Sequence, residues 1–362
     1  MLLWLIAPCQ AEPPASQLRR FEFQRTLMGV PFAVAFYAPD EASANKAIAA
    51  VWTRIEHLNS LMSDYDSTSE LMRLCRDSGP GKPIVVSSEL FRVLSKSVEV
   101  SELSDGAFDV SVGPLIKLWR RARRQKELPD PKLLQEAREL VGWKYIKLTT
   151  HQASREASAP GQRPNSEKCP GVDALRLASD CSSGSVELLK PGMKLDLGGI
   201  AVGDAADEAI RILKQHGISR AMIDGSGDIV VSDPPPGATG WRIGIASLRE
   251  PDAAPTQFAT LANCSISTSG DAYQFVDVDG KRYSHIVYPK TGLGLTDRCS
   301  VTIIAPDGIT ADALATAVSV LGPQRGLKLI ESQTRVAALF ATLDGDKLVT
   351  RQSSNWSSTS RK

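Results

Sequence analysis

Three segments lie within 55 residues: Thr268-Ser269-Gly270-Asp271, then Ser284-His285-Ile286-Val287-Tyr288-Pro289-Lys290-Thr291-Gly292, then Thr310-Ala311-Asp312-Ala313-Leu314-Ala315-Thr316-Ala317. The first is a turn of small residues. The second carries a lone His ahead of a Pro-x-Thr-Gly turn. In the third, Thr310 reads as a helix N-cap, which puts Asp312 in the first turn and Thr316 one turn later on the same face. A carboxylate and a hydroxyl side by side suit a hard cation such as Mg²⁺, which takes oxygen ligands and keeps positions open for phosphate. The positive end of the helix favours the same anion. An Asp in a first helical turn is also favourable with no metal at all, so spacing alone leaves both readings open. His285 is equally ambiguous by itself. A neutral imidazole can take a proton from a hydroxyl nucleophile, and a lone His can be purely structural.

Working outward, Cys264–Thr268 and Val301–Ile304 read as strands, and Tyr273–Val278 with Lys281–Val287 as a hairpin around Asp279-Gly280. The helix from Ala311 should stop at Gly322-Pro323, with a strand over Arg335–Thr342 and a polar, frayed tail over residues 351–362. Upstream, Met193–Leu197 reads as a short strand broken by Gly198-Gly199. The stripe Val202, Ala205, Ala206, Ala209, Ile210, Leu213 predicts a helix capped by Gly217. Strands follow at Ala221–Asp224, Ile229–Val231 and Trp241–Ala246, the first two joined by Gly225-Ser226-Gly227-Asp228. These glycine turns lack the Gly-x-Gly-x-x-Gly order, which rules against a dinucleotide-binding Rossmann unit.

Nearer the N-terminus, Arg19–Ala38 alternates around Met28-Gly29, and Asp40–Met62 has helical spacing. Ser69 caps a short helix to Cys75, and Ser87 or Ser88 caps another to Ser104. Gly106–Leu115 is a compact turn into an apolar segment ending at Trp119. Lys126–Val141 is helical and Tyr145–Leu148 strand-like. Tyr65 and Phe108 are loop aromatics that could stack on a planar heterocycle or cover the core. Residues 151–186 are rich in Ser, Gly, Pro and Ala and read as a long polar, disordered insertion.

The balance of 42 basic and 41 acidic residues gives a net charge of +1. The one basic run, Arg120-Arg121-Ala122-Arg123-Arg124, reads as a solvated helix end, so nucleic acid is not a main partner. No Cys-x-x-Cys occurs, which argues against a zinc or thioredoxin-like site, while Cys169 and Cys181 could pair in an exported protein. The apolar Met1–Ala7 reads as part of a leader over residues 1–18. The expectation is therefore an exported protein, periplasmic or membrane-tethered, with a cytoplasmic one as the alternative. Residues 19–350 form a single domain around the insertion.

Taken in order, these blocks resemble the ApbE family of flavin transferases. The carrying motifs are Met28-Gly29; Ser63-Asp64-Tyr65 to Ser69-Glu70; Gly106 to Leu115; Asp196 to Ala201; Gly225 to Asp228; Thr268 to Asp271; His285-Ile286 with Pro289 to Gly292; and Asp312 to Ala317. The resemblance implies an α+β fold of two lobes, a mixed or antiparallel sheet with packed helices, and FAD in a cleft between the lobes. It implies that FMN is transferred from FAD to a Ser or Thr hydroxyl of an acceptor protein, through a phosphoester and with release of AMP. The acceptor would be a subunit of a membrane electron-transfer complex. Mg²⁺, or Mn²⁺, would be held by Asp312, Thr316 and the carbonyl of Gly199. His285 would be the base, and Met28, Tyr65, Phe108, Asp109, Asp228, Thr268 and Ser269 would hold the flavin nucleotide. Three positions depart from the family pattern. Val202-Gly203-Asp204 stands where Lys-Gly-Tyr is usual, Tyr288 stands at an Asp position, and Gly225-Ser226-Gly227 replaces a simpler glycine pair. The first loses a positive charge near a pyrophosphate and adds a negative one. A flavin-binding homologue without transfer, or a metal-dependent FAD pyrophosphatase, are the alternative readings.

Overall fold

The computed structural model describes residues 18–151, 184–271, 274–345 and 347–356. The leader and the Cys169/Cys181 pair lie outside the described residues, as does most of the polar insertion.

Alternating apolar residues make Arg19–Leu27 (β1) and Val30–Ala38 (β2) an antiparallel hairpin. Glu41–Met62 (α1) follows, its Asp40 side chain accepting the Ser43 N–H. Ser69 accepts from Met72 N to start Glu70–Asp77 (α2). Ile84–Val86 (β3) leads to Ser88–Leu103 (α3), which is capped by Ser87. The apolar segment after Gly106 proves to be the start of Gly113–Gln125 (α4), and Pro131–Glu139 (α5) begins only after the Asp130 cap. Ile146–Thr150 (β4) and Gly184–Leu188 (β5) join β3 in a small sheet with β5 at its centre, so the segment read as insertion ends in a buried strand rather than a loop. Val186 is fully buried there.

The chain then supplies Ala201–Gln215 (α6), Ala221–Gly225 (β6), Asp228–Val231 (β7), Trp241–Ile245 (β8), Gln257–Leu261 (β9), Cys264–Gly270 (β10), Phe275–Val278 (β11), Lys281–Ser284 (β12), Cys299–Ala305 (β13), Gly308–Glu331 (α7), Ala337–Asp344 (β14) and Lys347–Gln352 (β15). Eight strands form the main sheet in the order β1-β2-β6-β7-β10-β13-β14-β15. Every pairing in it is antiparallel. The protein is thus α+β, with helices segregated onto one sheet face.

That face carries α6 and α7, with α1 and α3 behind them. Phe32, Ile55, Leu58, Leu213, Ile223, Val301 and Leu314 lie in this main core. The other face is covered by the β8–β9 hairpin through Trp241, Ile243 and Leu261. A third apolar cluster joins α4 and α5 to the β11–β12 hairpin through Leu115, Trp119, Val276 and Val287. No helix among the described residues is long and apolar enough to cross a membrane.

Several sequence expectations change. Met193–Leu197 forms no strand in a sheet. It runs beside the turn before α4, where Asp196 N donates to Val110 O at 2.8 Å and Lys194 bridges Val112. Asp307, not Thr310, caps α7, accepting the Thr310 N–H at 3.1 Å. Gly322, with φ +74, breaks the helix as expected, but Pro323 opens a second helical segment that runs on to Glu331. Proline suits a first helical position because its missing N–H is not needed there. The expected frayed tail is in part ordered: Arg351 and Gln352 close β15, Ser353 Oγ accepts from Ala338 N at 2.9 Å, and Trp356 is buried in the second cluster.

Candidate active site

One end of the main sheet gathers the turns that the sequence singled out. Met28 and Gly29 link β1 to β2 at φ +52 and +79. A two-residue hairpin needs left-handed residues, yet Met is an uncommon occupant of that region. Phe32 lies opposite Gly225, so this turn overhangs the end of β6 beside Ser226-Gly227. Asp228 opens β7 opposite Ser267, and Thr268 N donates to Gly227 O at 3.2 Å. Met28, Asp228, Thr268 and Ser269 therefore share one sheet end.

Strand alternation divides them by face. Ser267 donates to the Asp228 carboxylate, and Ser269 Oγ is 3.4 Å from Thr316 Oγ1, both on the helical face. Thr268 Oγ1 is 3.0 Å from Thr302 Oγ1. Thr302 pairs with Leu339 of the second cluster, so the Thr268 side chain points to the opposite face. Thr268 and Ser269, adjacent in sequence, cannot both present side chains to one ligand.

Asp312 and Thr316 are placed by an unusually close approach of α6 and α7. A Cβ built on Gly203 would lie 2.3 Å from Gly308 O, and one on Gly308 would lie 2.4 Å from Gly203 O. Only paired glycines let these backbones meet. Asp207 of α6 then accepts Gly308 N at 2.8 Å and Ile309 N at 2.9 Å, satisfying two free donors at the start of α7. In return Gly203 N, in the first turn of α6, donates to Asp312 Oδ2 at 3.2 Å. Thr316, one turn on, sits beneath the glycine turn, since a Cβ on Gly199 would lie 3.0 Å from its Oγ1. Gly199, Ser269, Asp312 and Thr316 are thus brought together from three separate stretches of chain.

The electrostatics there are poised. Burial, and after it the neighbouring Asp228 carboxylate, pushes the proton affinity of Asp312 well above the usual carboxylate range. Burial likewise pushes Asp228 up to about 7, against the Ser267 hydroxyl bond that lowers it. Two adjoining buried carboxylates are relieved by a shared proton or a cation. No group of three or more His, Cys, Asp or Glu that could hold a metal occurs among the described residues. The donors present are two carboxylates, a hydroxyl and the peptide groups of a glycine turn, an all-oxygen set that fits a hard divalent cation and not zinc.

His285 follows β12 directly. Its Nδ1 is 3.0 Å from Gln274 O. A carbonyl only accepts, so Nδ1 carries the proton and Nε2 keeps its lone pair. Burial lowers the pKa of His285, and the Arg123 charge adds to that effect, so the ring is a neutral base near pH 7. Gln274 is five residues beyond Ser269 in the chain. At the maximum reach of about 3.6 Å per residue, Gln274 lies within about 18 Å of Ser269. The loop after His285 is fastened to α4, where Trp119 Nε1 donates to Gly292 O at 2.8 Å. Asp271 Oδ1 and Arg298 Nε are buried without hydrogen-bond partners, and Arg298 Nε lies 3.9 Å from Asp271 Oδ2. Such orphaned atoms cost about 1–3 kcal/mol each and are what a bound ligand or water satisfies.

Tyr65 is 78% exposed, and its ring stacks 4.2 Å from the Arg120 guanidinium. Arg120 also bonds Asp64 and, at 2.9 Å, Asp196 Oδ2. Asp196 Oδ1 in turn accepts Gly198 N at 2.9 Å. One arginine therefore ties the Tyr65 loop to the glycine turn. The basic run, expected to be a solvated helix end, is in part this clamp. No local signal marks it, because its partners lie 56 and 76 residues away. Phe108 is buried in the main core yet reaches the glycine turn, its ring 3.5 Å from where a Gly199 Cβ would sit. Both Asp109 oxygens are used internally, by Ser111 N at 2.9 Å and Trp143 N at 2.9 Å.

The departures from the family pattern also find places. Asp204 is not a loose negative charge beside the site. It is fully buried and paired with Arg92 of α3, with 3.1 Å between Nη2 and Oδ2. Burial holds its pKa up at about 6, although Arg92 opposes that rise. Val202 fills the space over Gly225, where a Cβ would lie 2.5 Å from Val202 Cγ1. Tyr288 uses its backbone to close the turn, its carbonyl accepting from Gly292 N at 2.8 Å. Lys290, in the same turn, is engaged with Asp105 at 2.7 Å.

Comparison with known proteins shows the family to which the chain belongs. The ApbE family model matches residues 28–340. The FAD:protein FMN transferase of Treponema pallidum is 29% identical over 335 residues, covering 90% of this chain and 85% of the relative. That of Vibrio cholerae is 27% identical over 350 residues, covering 95% and 93%. Among solved structures, the flavin transferase ApbE from Vibrio cholerae superposes with a TM-score of 0.76 at 25% identity, covering 94% of this chain and 99% of that one. The ApbE protein from Thermotoga maritima gives a TM-score of 0.76 at 25% identity, covering 95% and 100%. With the family model spanning the sheet end, the glycine turn, the His285 loop and the start of α7, this chain belongs to the ApbE family.

Proposed function

We propose that the protein transfers FMN from FAD to a Ser or Thr hydroxyl of an acceptor protein, forming a phosphoester and releasing AMP. The observation that carries the reading is the convergence of Gly199, Ser269, Asp312 and Thr316 at one sheet end, beside the Asp228 carboxylate. Its relatives' names, FAD:protein FMN transferase, support it. FAD occupies the cleft at this sheet end. Asp312, Thr316 and the Gly199 carbonyl hold Mg²⁺, with Mn²⁺ as a substitute. When bound, the metal supplies charge neutralisation and polarisation at the phosphate oxygens.

The residues of the chain do the rest. Ser269 and Met28 bound the nucleotide at the sheet end, and Tyr65, steadied by Arg120, offers an aromatic face. His285 Nε2 accepts the proton of the acceptor hydroxyl. The hydroxyl oxygen bonds to the phosphorus on the FMN side, the bond to the bridging oxygen breaks, and AMP leaves with that oxygen. Phosphoryl transfer of this kind needs positioning and charge neutralisation more than covalent help from the enzyme.

The test is incubation with FAD, Mg²⁺ and a flavin-acceptor domain, followed by mass spectrometry of the acceptor. FMN covalently attached to Ser or Thr is expected. His285→Ala should slow transfer by roughly 10²–10⁴-fold while leaving FAD binding in place. Because the His285 pKa is lowered from 6.5, the base stays neutral at physiological pH, and transfer should fall only as the pH drops below that shifted value. Free FMN without acceptor labelling would establish FAD hydrolysis instead, and FAD binding with no AMP release a non-catalytic flavin protein.

A further inference from the structure

The arginine-rich end of α4 is only partly absorbed by the site above. Arg120 is held between Asp64 and Asp196. Arg123 and Arg124 make no ion pair among the described residues. Arg123 Nη1 donates to the neutral Gln274 Oε1 at 2.9 Å. These three arginines and Tyr65 line an open pocket of about 300 Å³.

Two features fix what such a pocket takes. The first is its position. Gln274, which Arg123 holds by its side chain, is the residue whose carbonyl holds His285 Nδ1 at 3.0 Å. Arg123 therefore stands close to the residue proposed to receive the acceptor hydroxyl, near enough for its charge to act on His285. The second is the charge of the layer beneath. Between the pocket and the Gly198-Gly199 turn stand Asp64 and Asp196 against the single charge of Arg120. Arg120 is thus taken up by that layer, and the charge left without an ion pair is that of Arg123 and Arg124. The free positive charge faces outward, toward a macromolecular partner.

We propose that Arg123 and Arg124, flanking the exposed Tyr65 ring, dock an acidic segment of the acceptor protein next to the hydroxyl that receives FMN. The proposal rests on the transfer reading for the identity of the partner. Exposed rim charges of this kind act on encounter and register, and their effect weakens with salt.

The experiment uses the full chain and two labelled peptides, one with a Ser flanked by Asp and Glu, the other with Asn and Gln at the same places. Fluorescence anisotropy should show the acidic peptide binding at low salt and weakening as salt rises. The neutral peptide and the double variant Arg123→Gln/Arg124→Gln should each bind about tenfold more weakly. In transfer assays Arg124→Gln should raise KM for the acceptor about threefold, with kcat and FAD affinity unchanged. Equal binding of the two peptides, or a double variant that binds as wild type does, overturns the proposal. So does a loss of FAD or ADP affinity in place of peptide affinity, which would assign the pocket to the nucleotide. Arginine-dependent peptide binding without any covalent FMN would refute transfer and leave the docking surface standing. Transfer with an unchanged acceptor KM in Arg124→Gln would do the reverse.

Discussion

Gly203→Ala tests the packing that sets the site. The new methyl would meet Gly308 O at 2.3 Å and Asp312 Cβ at 2.9 Å. The first obstacle is backbone, which cannot swing aside as a side chain would. Restoring an ordinary C···O separation of about 3.3 Å requires α6 and α7 to part by about 1 Å. Overpacking of this sort costs ~1–3 kcal/mol. Alanine is the better helix former by ~1 kcal/mol, which offsets part of the loss. The net destabilisation is up to ~2 kcal/mol, a fall in Tm of up to ~3 °C for a chain this long. The effect on transfer should be larger, because the Gly203 N–H to Asp312 bond at 3.2 Å is the one that parting the helices breaks. A misplacement of about 1 Å can cost ~10²-fold in rate. Thermal unfolding and single-turnover FMN transfer measure the two effects separately. Gly79→Ala serves as a control, since nothing lies within 4 Å of its added Cβ. Wild-type transfer by Gly203→Ala, whatever its Tm, would show that this helix contact does not position Asp312.

Three further outcomes follow from the charges. Asp228 has a folded pKa of about 7, raised from an unfolded value of about 3.9. The folded protein binds that proton more tightly, so the associated stability is present below about pH 4 and is lost as pH rises through about 7. Asp228→Asn should therefore gain stability over wild type across that window in EDTA, as read by Tm against pH, and an unchanged difference would refute the raised pKa. Mg²⁺ should raise the wild-type Tm more at pH 8 than at pH 6, and should not do so in Asp312→Asn. Arg92→Met strands the fully buried Asp204 carboxylate and should cost ~3–5 kcal/mol at pH 8. Asp204 already titrates near 6 and can take up a proton, so the loss should shrink at pH 5. Denaturant unfolding at the two pH values decides it.

The sequence by itself determined the types of most elements and named the candidate residues of the site. Apolar periodicity in α1 and α6 follows from each helix burying one face, and turn chemistry at Asp279-Gly280 and Gly225–Asp228 is local. Those signals need no partner to be legible, and the order of the motifs was enough to point to the family. The tertiary structure alone decided which side chains meet. Thr268 and Ser269 part company because β10 is covered on both faces, which becomes visible only once the β8–β9 hairpin is seen to pack opposite α7. Asp204 looked like a misplaced charge until α3 supplied Arg92 from 112 residues away. Arg120 looked solvated until Asp64 and Asp196 closed on it from either side. Charges are read in sequence by their sign, but their effect depends on burial and partners. Those are set by contacts between distant stretches, and no local pattern encodes them.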